Sequence, residues 1–203
     1  MKMLSAAAIL VGCTLISSPS FGWNDFGHME VAAFAWSKLD PTIQNRATAL
    51  IKLNPMYQDW IKDVPASDRD QVAFVRAATW PDPIKRSHDY HSDGPNGGDR
   101  PPPEPQASQN IGYADDFMHK YWHFVDIPFS PDGTALEQPP SPNAQTQIAA
   151  LRKALSDPMS SDDLKSYDLV WLLHLIGDVH QPLHATSRFV AAVSVVNQIR
   201  AYW

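Results

Sequence analysis

A mostly α-helical protein with one long irregular loop is what the sequence predicts, and three observations carry that expectation. Three segments open on a capping residue or a proline and continue with apolar residues at helical spacing. A fourth, Leu164 to Val179, is apolar nearly all round and reads as a buried core helix. Twelve of the 18 prolines fall between Pro81 and Pro142, which confines the irregular structure to one stretch.

In order along the chain, Asp40 and Pro41 form an N-cap and first-turn pair that opens a helix through Ile43, Ala47, Leu50 and Ile51. Ser67, with acidic residues in the next turn, opens a second through Val72, Val75 and Ala78, which Pro81 stops. The Pro-rich run Pro101 to Pro105 and the Gly/Pro/Asn-rich run Gly94 to Gly98 predict an ordered, irregular surface loop. Tyr121-Trp-His-Phe-Val-Asp-Ile-Pro128 sits inside it as a short extended aromatic segment. Ser141-Pro142 opens a third helix with Ile148, Leu151 and Leu155 on one stripe. In the fourth, Leu164, Tyr167, Trp171, His174 and Asp178 share one face, and Pro182 kinks or ends the helix.

Composition narrows the function. The 203 residues are 44% hydrophobic and carry a net charge of −6, which excludes a nucleic-acid binder that relies on a broad basic surface. The single cysteine, Cys13, excludes an intramolecular disulfide. Residues 1–22 read as a signal peptide: Lys2, an apolar run from Leu4 to Ile16, then Ser20 and Gly22 at positions −3 and −1 before Trp23. The mature chain, 23–203, is then one domain in the periplasm or outside the cell. Leu10-Val-Gly-Cys13 keeps a second reading open, a lipoprotein anchored through Cys13.

His174-x3-Asp178-x-His180-Gln-Pro-Leu-His184 is the densest cluster of ligand-type residues. A His and an Asp at i and i+4 project to one side of a helix and can reach a single metal. Taken alone, such a pair is more often a hydrogen-bonded core contact. The apolar helix around it, the proline break and His184 beyond tilt the reading toward a ligand set. Alone, His28 reads as a helix-start histidine, Asp82 as a turn residue, Lys85 as a solvated lysine and Phe124 as core packing. His88, His91 and His119 read as surface-loop histidines, and His180 as structural.

Taken together, these segments resemble the S1/P1 nuclease family, relatives of zinc-dependent bacterial phospholipase C. The resemblance rests on Trp23-Asn-Asp-Phe-Gly-His28, Trp80-Pro-Asp82-Pro-Ile-Lys85, Trp122-His123-Phe-Val-Asp126-Ile-Pro128 and Gly177-Asp-Val-His-Gln-Pro-Leu-His-Ala185, in that order from Trp23 to about Phe189. It implies an all-α, phospholipase C/P1 nuclease-like fold. It also implies a zinc enzyme that hydrolyses phosphodiester bonds of single-stranded DNA or RNA, with 3′-nucleotidase activity as a further option. One zinc would take Asp82, His123, His174 and Asp178. A second would take the α-amine and carbonyl of Trp23 with His28, bridged by Asp178, so that cleavage before Trp23 creates a ligand. Asp126 is implied as the carboxylate that orients a water or ligand, Lys85 as the cation facing the phosphoryl group, and Phe124 as the base-stacking ring. Two zincs would supply positive charge locally, which reconciles an acidic chain with a nucleic-acid substrate.

Two departures from the family pattern stand out. Asp82 and His123 are 41 residues apart, which marks the 83–120 stretch as an insertion. After Ser187-Arg-Phe189 the family's acidic Gly-Gly-Asn loop and His/Asp-bearing helix are replaced by Val190 to Trp203. The family's third zinc would keep His184 alone, as expected of a truncated or frameshifted product. Two alternatives therefore stand beside the nuclease: a phospholipase C-type phosphodiesterase and an inactive zinc-binding fragment.

Overall fold

In the computed structural model, which describes residues 25–190, the chain packs a set of helices around one long central helix. The helices are α1 (Asp25–Lys38), α2 (Pro41–Ile51), α3 (Tyr57–Ile61), α4 (Arg69–Ala77), the short α5 (Pro81–Ile84), the single turn α6 (Pro95–Gly98), α7 (Ala144–Ser156), α8 (Asp162–Val179) and the short α9 (Pro182–Ala185). The signal-peptide expectation with Cys13, the mature N-terminus at Trp23 and the tail 191–203 lie outside the described residues.

α8 is the centre because its sequence leaves no polar face. Val170, Trp171 and Leu175 are fully buried, and α1, α2 and α7 pack directly on the helix. Trp171 lies 5.0 Å from Trp122 and 6.3 Å from Trp80, both near edge-on, so three tryptophans from separate segments seal one side of it. No described helix is long and apolar enough to cross a membrane.

The helical expectation holds, with corrections at the boundaries. Asp40 caps α2 as expected, accepting from Thr42 N and Ile43 N. Ser67 does not cap α4: that helix starts at Arg69, and the Ser67 hydroxyl donates instead to the Asp68 carboxylate. Pro81 does not simply stop α4, which already ends at Ala77; it supplies the first residue of α5, where its missing N–H costs nothing. α7 opens at Asn143, not at Ser141-Pro142, because Asn143 and Thr146 close a reciprocal capping box. Ser161 caps α8, which ends at Val179, and Pro182 begins α9. The segment read as extended, Tyr121 to Pro128, begins as a 3₁₀ turn over Lys120–His123. It becomes a strand only at β1 (Ile127–Phe129), which pairs in parallel with β2 (Thr186–Arg188) in the register Ile127 to Thr186 and Pro128 to Ser187. That ribbon ties the chain after His123 to the chain after His184.

The 83–120 stretch is irregular, as expected, but its inside is a polar core. His91 is exposed, whereas His119, read as a surface-loop residue, is fully buried. Its Nδ1–H donates to Asp93 Oδ2 at 2.8 Å and its Nε2–H to Asp115 Oδ2 at 2.9 Å. Both partners are acceptors, so both ring nitrogens carry protons and the ring is an imidazolium. Burial works against that charge, but the bonds to Asp115 and Asp93 outweigh it and raise the His119 pKa. The ring also stacks on Trp122 at 3.8 Å, which carries the clasp to the residue preceding His123.

Candidate metal centre

α8 supplies His174 and Asp178, one turn apart and buried at 0% and 1% exposure. His174 Nδ1–H donates to the Ala78 carbonyl at 2.8 Å, at the end of α4, which turns its Nε2 toward Asp178 Oδ2, 3.2 Å away. The 3₁₀ turn delivers His123, whose Nδ1 lies 2.9 Å from Asp178 Oδ2 and 2.9 Å from His174 Nε2. α1 delivers His28, stacked on the His174 ring with centroids 3.9 Å apart and with Nε2 3.5 Å from Asp178 Oδ1. α9 delivers His184, whose Nδ1–H donates to the His123 carbonyl at 3.0 Å and lies 3.1 Å from Asp178 Oδ1. One buried carboxylate thus faces four imidazoles, two on each oxygen. Asp82, in the first turn of α5, completes the set, with its oxygens 3.7 Å from His174 Nε2 and 3.8 Å from His28 Nε2.

Two overlapping groups have the compactness a metal requires: His123, His174 and Asp178, and His28, Asp82 and His174. Three ligand atoms on a tetrahedral zinc sit ~3.3 Å apart, given bonds of about 2.0–2.1 Å. The 2.9–3.2 Å triangle of His123, His174 and Asp178 is close to that spacing. The protonation states of two imidazoles also fit, while His174 is shifted the other way: burial works to lower its pKa, but Asp178 and Asp82 outweigh it and raise it. Burial, helped by His174, lowers the His28 pKa to about 4, and burial with Lys85 lowers His123 to about 3, so both are neutral and offer lone pairs. Asp178 is pulled well below the usual carboxylate range, since His174 and His123 outweigh its burial. Asp178 Oδ1 and His28 Nδ1 are buried without a hydrogen-bond partner. A cation answers the carboxylate's need better than any hydrogen bond present. The grouping differs from the expected pair of ligand sets: Asp82 faces His28 as well as His174, and the residue common to the two compact groups is His174 and not Asp178.

The remaining candidates lie around this cluster. Lys85 Nζ pairs with Asp82 Oδ1 at 2.6 Å at the partly exposed rim. Phe124 is half-buried with its ring 4.5 Å from that of His184, so it is not wholly a core residue. Asp126 takes a left-handed backbone (φ 53) and accepts from the Ser187 hydroxyl at 3.0 Å across the β ribbon. Exposed His180 donates to the Ile176 carbonyl, in line with its structural reading. Three contributors escaped the sequence reading: the Ala78 carbonyl, Ser187 and Gly177. Gly177 sits where α1 crosses α8, and a Cβ there would collide with His28 Nδ1. A glycine inside an apolar helix, one residue before a ligand-type Asp, was the available signal.

The model of the S1/P1 nuclease family matches residues 23–192, most of the chain. No curated protein and no solved structure gives a significant match.

Gly177→Ala tests the crossing. Alanine gains about 1 kcal/mol of helix propensity, but overpacking costs about 1–3 kcal/mol. The expected outcome is a lower melting temperature together with weaker zinc binding, as His28 is pushed off His174. A variant that melts higher than the parent, as propensity alone dictates, would show that α1 has room to retreat.

Proposed function

The chain belongs to the S1/P1 nuclease family, and on that premise we propose that it is an exported, zinc-dependent phosphodiesterase acting on single-stranded DNA or RNA. The observation that supports this most is the single Asp178 carboxylate facing His28, His123, His174 and His184. Mixed imidazole and carboxylate donors suit zinc. A first zinc would be held by Asp82, His123, His174 and Asp178. A second would be held by His28 with the α-amine and carbonyl of Trp23, sharing Asp178; the free amine exists once residues 1–22 are removed. Of the family's third site His184 alone would remain. The paired zincs would supply a water nucleophile near neutral pH and a clamp on the phosphodiester.

The protein's own groups do the positioning. The Ala78 carbonyl holds His174 in the tautomer that presents Nε2. Ser187 holds Asp126, whose carboxylate orients the attacking water. Lys85, at the rim beside Asp82, faces the charge that builds on phosphorus. Phe124 stacks a base, a contact worth ~1–3 kcal/mol. With a net charge of −6 on the chain, affinity comes from this local charge, so its salt dependence is shallow.

Paired assays on single-stranded DNA and on phosphatidylcholine test the substrate class. Chelator-sensitive cleavage of the DNA alone is expected, and hydrolysis of the lipid instead would assign the phospholipase activity. Asp178→Asn keeps the shape and removes the shared charge, so metal analysis should show it losing both zincs, while Asp82→Asn weakens mainly one. Equal losses in the two variants would overturn the bridging role.

The N-terminal ligand has its own test. A protein that begins Met-Gly-Trp23 carries an amide where a chain beginning at Trp23 has an amine. It should bind fewer zincs, and equal stoichiometry would remove Trp23 from the ligand set.

A further inference from the structure

Asp168 lies six residues before His174 on α8 and takes no part in the metal centre. Its side chain is fully buried. The Asn110 amide, from the 83–120 stretch, donates Nδ2–H to Asp168 Oδ1 at 2.6 Å. The other half of each group is orphaned: Asp168 Oδ2 and Asn110 Oδ1 are both buried with no hydrogen-bond partner. Two acceptors left over on one acid–amide pair call for a single proton. Placed on Asp168 Oδ2, it would turn that oxygen into a donor for the unpaired Asn110 Oδ1.

We propose that Asp168 is a neutral carboxylic acid paired reciprocally with the Asn110 amide, and that this proton fastens residues 106–112 to α8. Burial raises the Asp168 pKa to about 6, against a smaller lowering by Asn110. Apart from the Tyr167 phenol, whose own pKa burial raises, no other titratable or charged group among the described residues bears on this carboxyl. The carboxyl therefore costs the fold nothing below its ordinary pKa. The cost grows as pH rises through about 6 and is complete above it. The other fastenings nearby behave differently. The Tyr113 hydroxyl bonds to Ser166 and Asn54, and its pKa is pushed up to about 12. The His119 clasp keeps its imidazolium above the ordinary histidine range. Asp168 is the fastening whose proton leaves as pH rises through about 6. The segment it releases includes Ala107, whose carbonyl accepts from both Tyr121 Oη and Trp122 Nε1, the residues leading into His123.

The test uses the zinc-loaded chain. The carboxyl carbon of Asp168, assigned by NMR through its own backbone, should titrate near pH 6. Amide exchange in 106–112, corrected for intrinsic rates, should rise at least ~10-fold between about pH 5 and about pH 8. Asp168→Asn builds the same reciprocal pair without a titrating proton. Its exchange should stay flat, and its melting temperature relative to the parent's should be higher near about pH 8 than near about pH 5. An Asp168 carbon that stays ionised through about pH 5 would overturn the proposal, as would parallel exchange profiles in the two proteins. That first result would place a bridging water between Asp168 and Asn110. The carbon titration needs no variant, so it decides the matter even if Asp168→Asn does not fold.

Discussion

Everything around the centre of this protein answers to one buried carboxylate. Asp178 sits on a helix with no polar face, at 1% exposure, and an ion so placed costs several kcal/mol unless it is compensated. The compensation is spread through the chain. α1 sends His28, the 3₁₀ turn sends His123, α9 sends His184 and α8 itself sends His174. No single element holds the charge, so the site forms only when those elements are packed. The cluster and the fold are therefore coupled: each imidazole brought in stabilises the contact that brings it. The tryptophans serve the same end. Trp80, Trp122 and Trp171 exclude water from one side of α8, which strengthens every electrostatic contact made there.

Orientation is as constrained as proximity. Two of the four imidazoles are held by backbone carbonyls: His174 by Ala78 and His184 by His123. The second bond links two residues of the cluster directly, so a shift of the 3₁₀ turn moves His184 as well as His123. The β ribbon reinforces that link, since the Val125 N–H also donates to the His184 carbonyl. The two strands are only three residues long, too short to stabilise a domain. Their value lies in fixing the register between two halves of one site.

How much of this is legible in the sequence depends on whether the signal is local. His174 and Asp178 announce themselves because i, i+4 spacing inside an apolar helix is a property of one segment. Asp40 is legible for the same reason: a cap and a proline stand side by side. Ser67 and Ser141 look equally like caps, but the choice among neighbouring polar residues turns on which side chain completes a reciprocal bond, as Asn143 does with Thr146. α1 shows in the sequence only through His28 as a helix-start histidine, because its apolar residues make no stripe; Phe26 and Phe34 remain largely exposed while His28 points inward. The place of His28 and Asp82 in the cluster comes from contacts across more than fifty residues of chain, and the family pattern supplies what spacing does not.

The same reasoning explains the loop. Prolines and glycines correctly forecast the absence of ladders, but a long segment without ladders still has backbone and side-chain polar groups to satisfy once it is pressed against a core. Here side chains take over that work. Asp93 accepts from the His119 backbone N–H, its ring and Tyr121; Ala107 accepts from Tyr121 and Trp122; Asn110 reaches Asp168. The expectation of a surface loop was wrong about His119 because composition reports how a backbone runs, not what it encloses. Several of these bonds depend on a proton, on His119 and by our inference on Asp168, where a helix would have used backbone amides that do not titrate. An irregular stretch that is ordered by ionisable side chains inherits their pH dependence. This one does so on the segment that leads directly into the turn carrying His123.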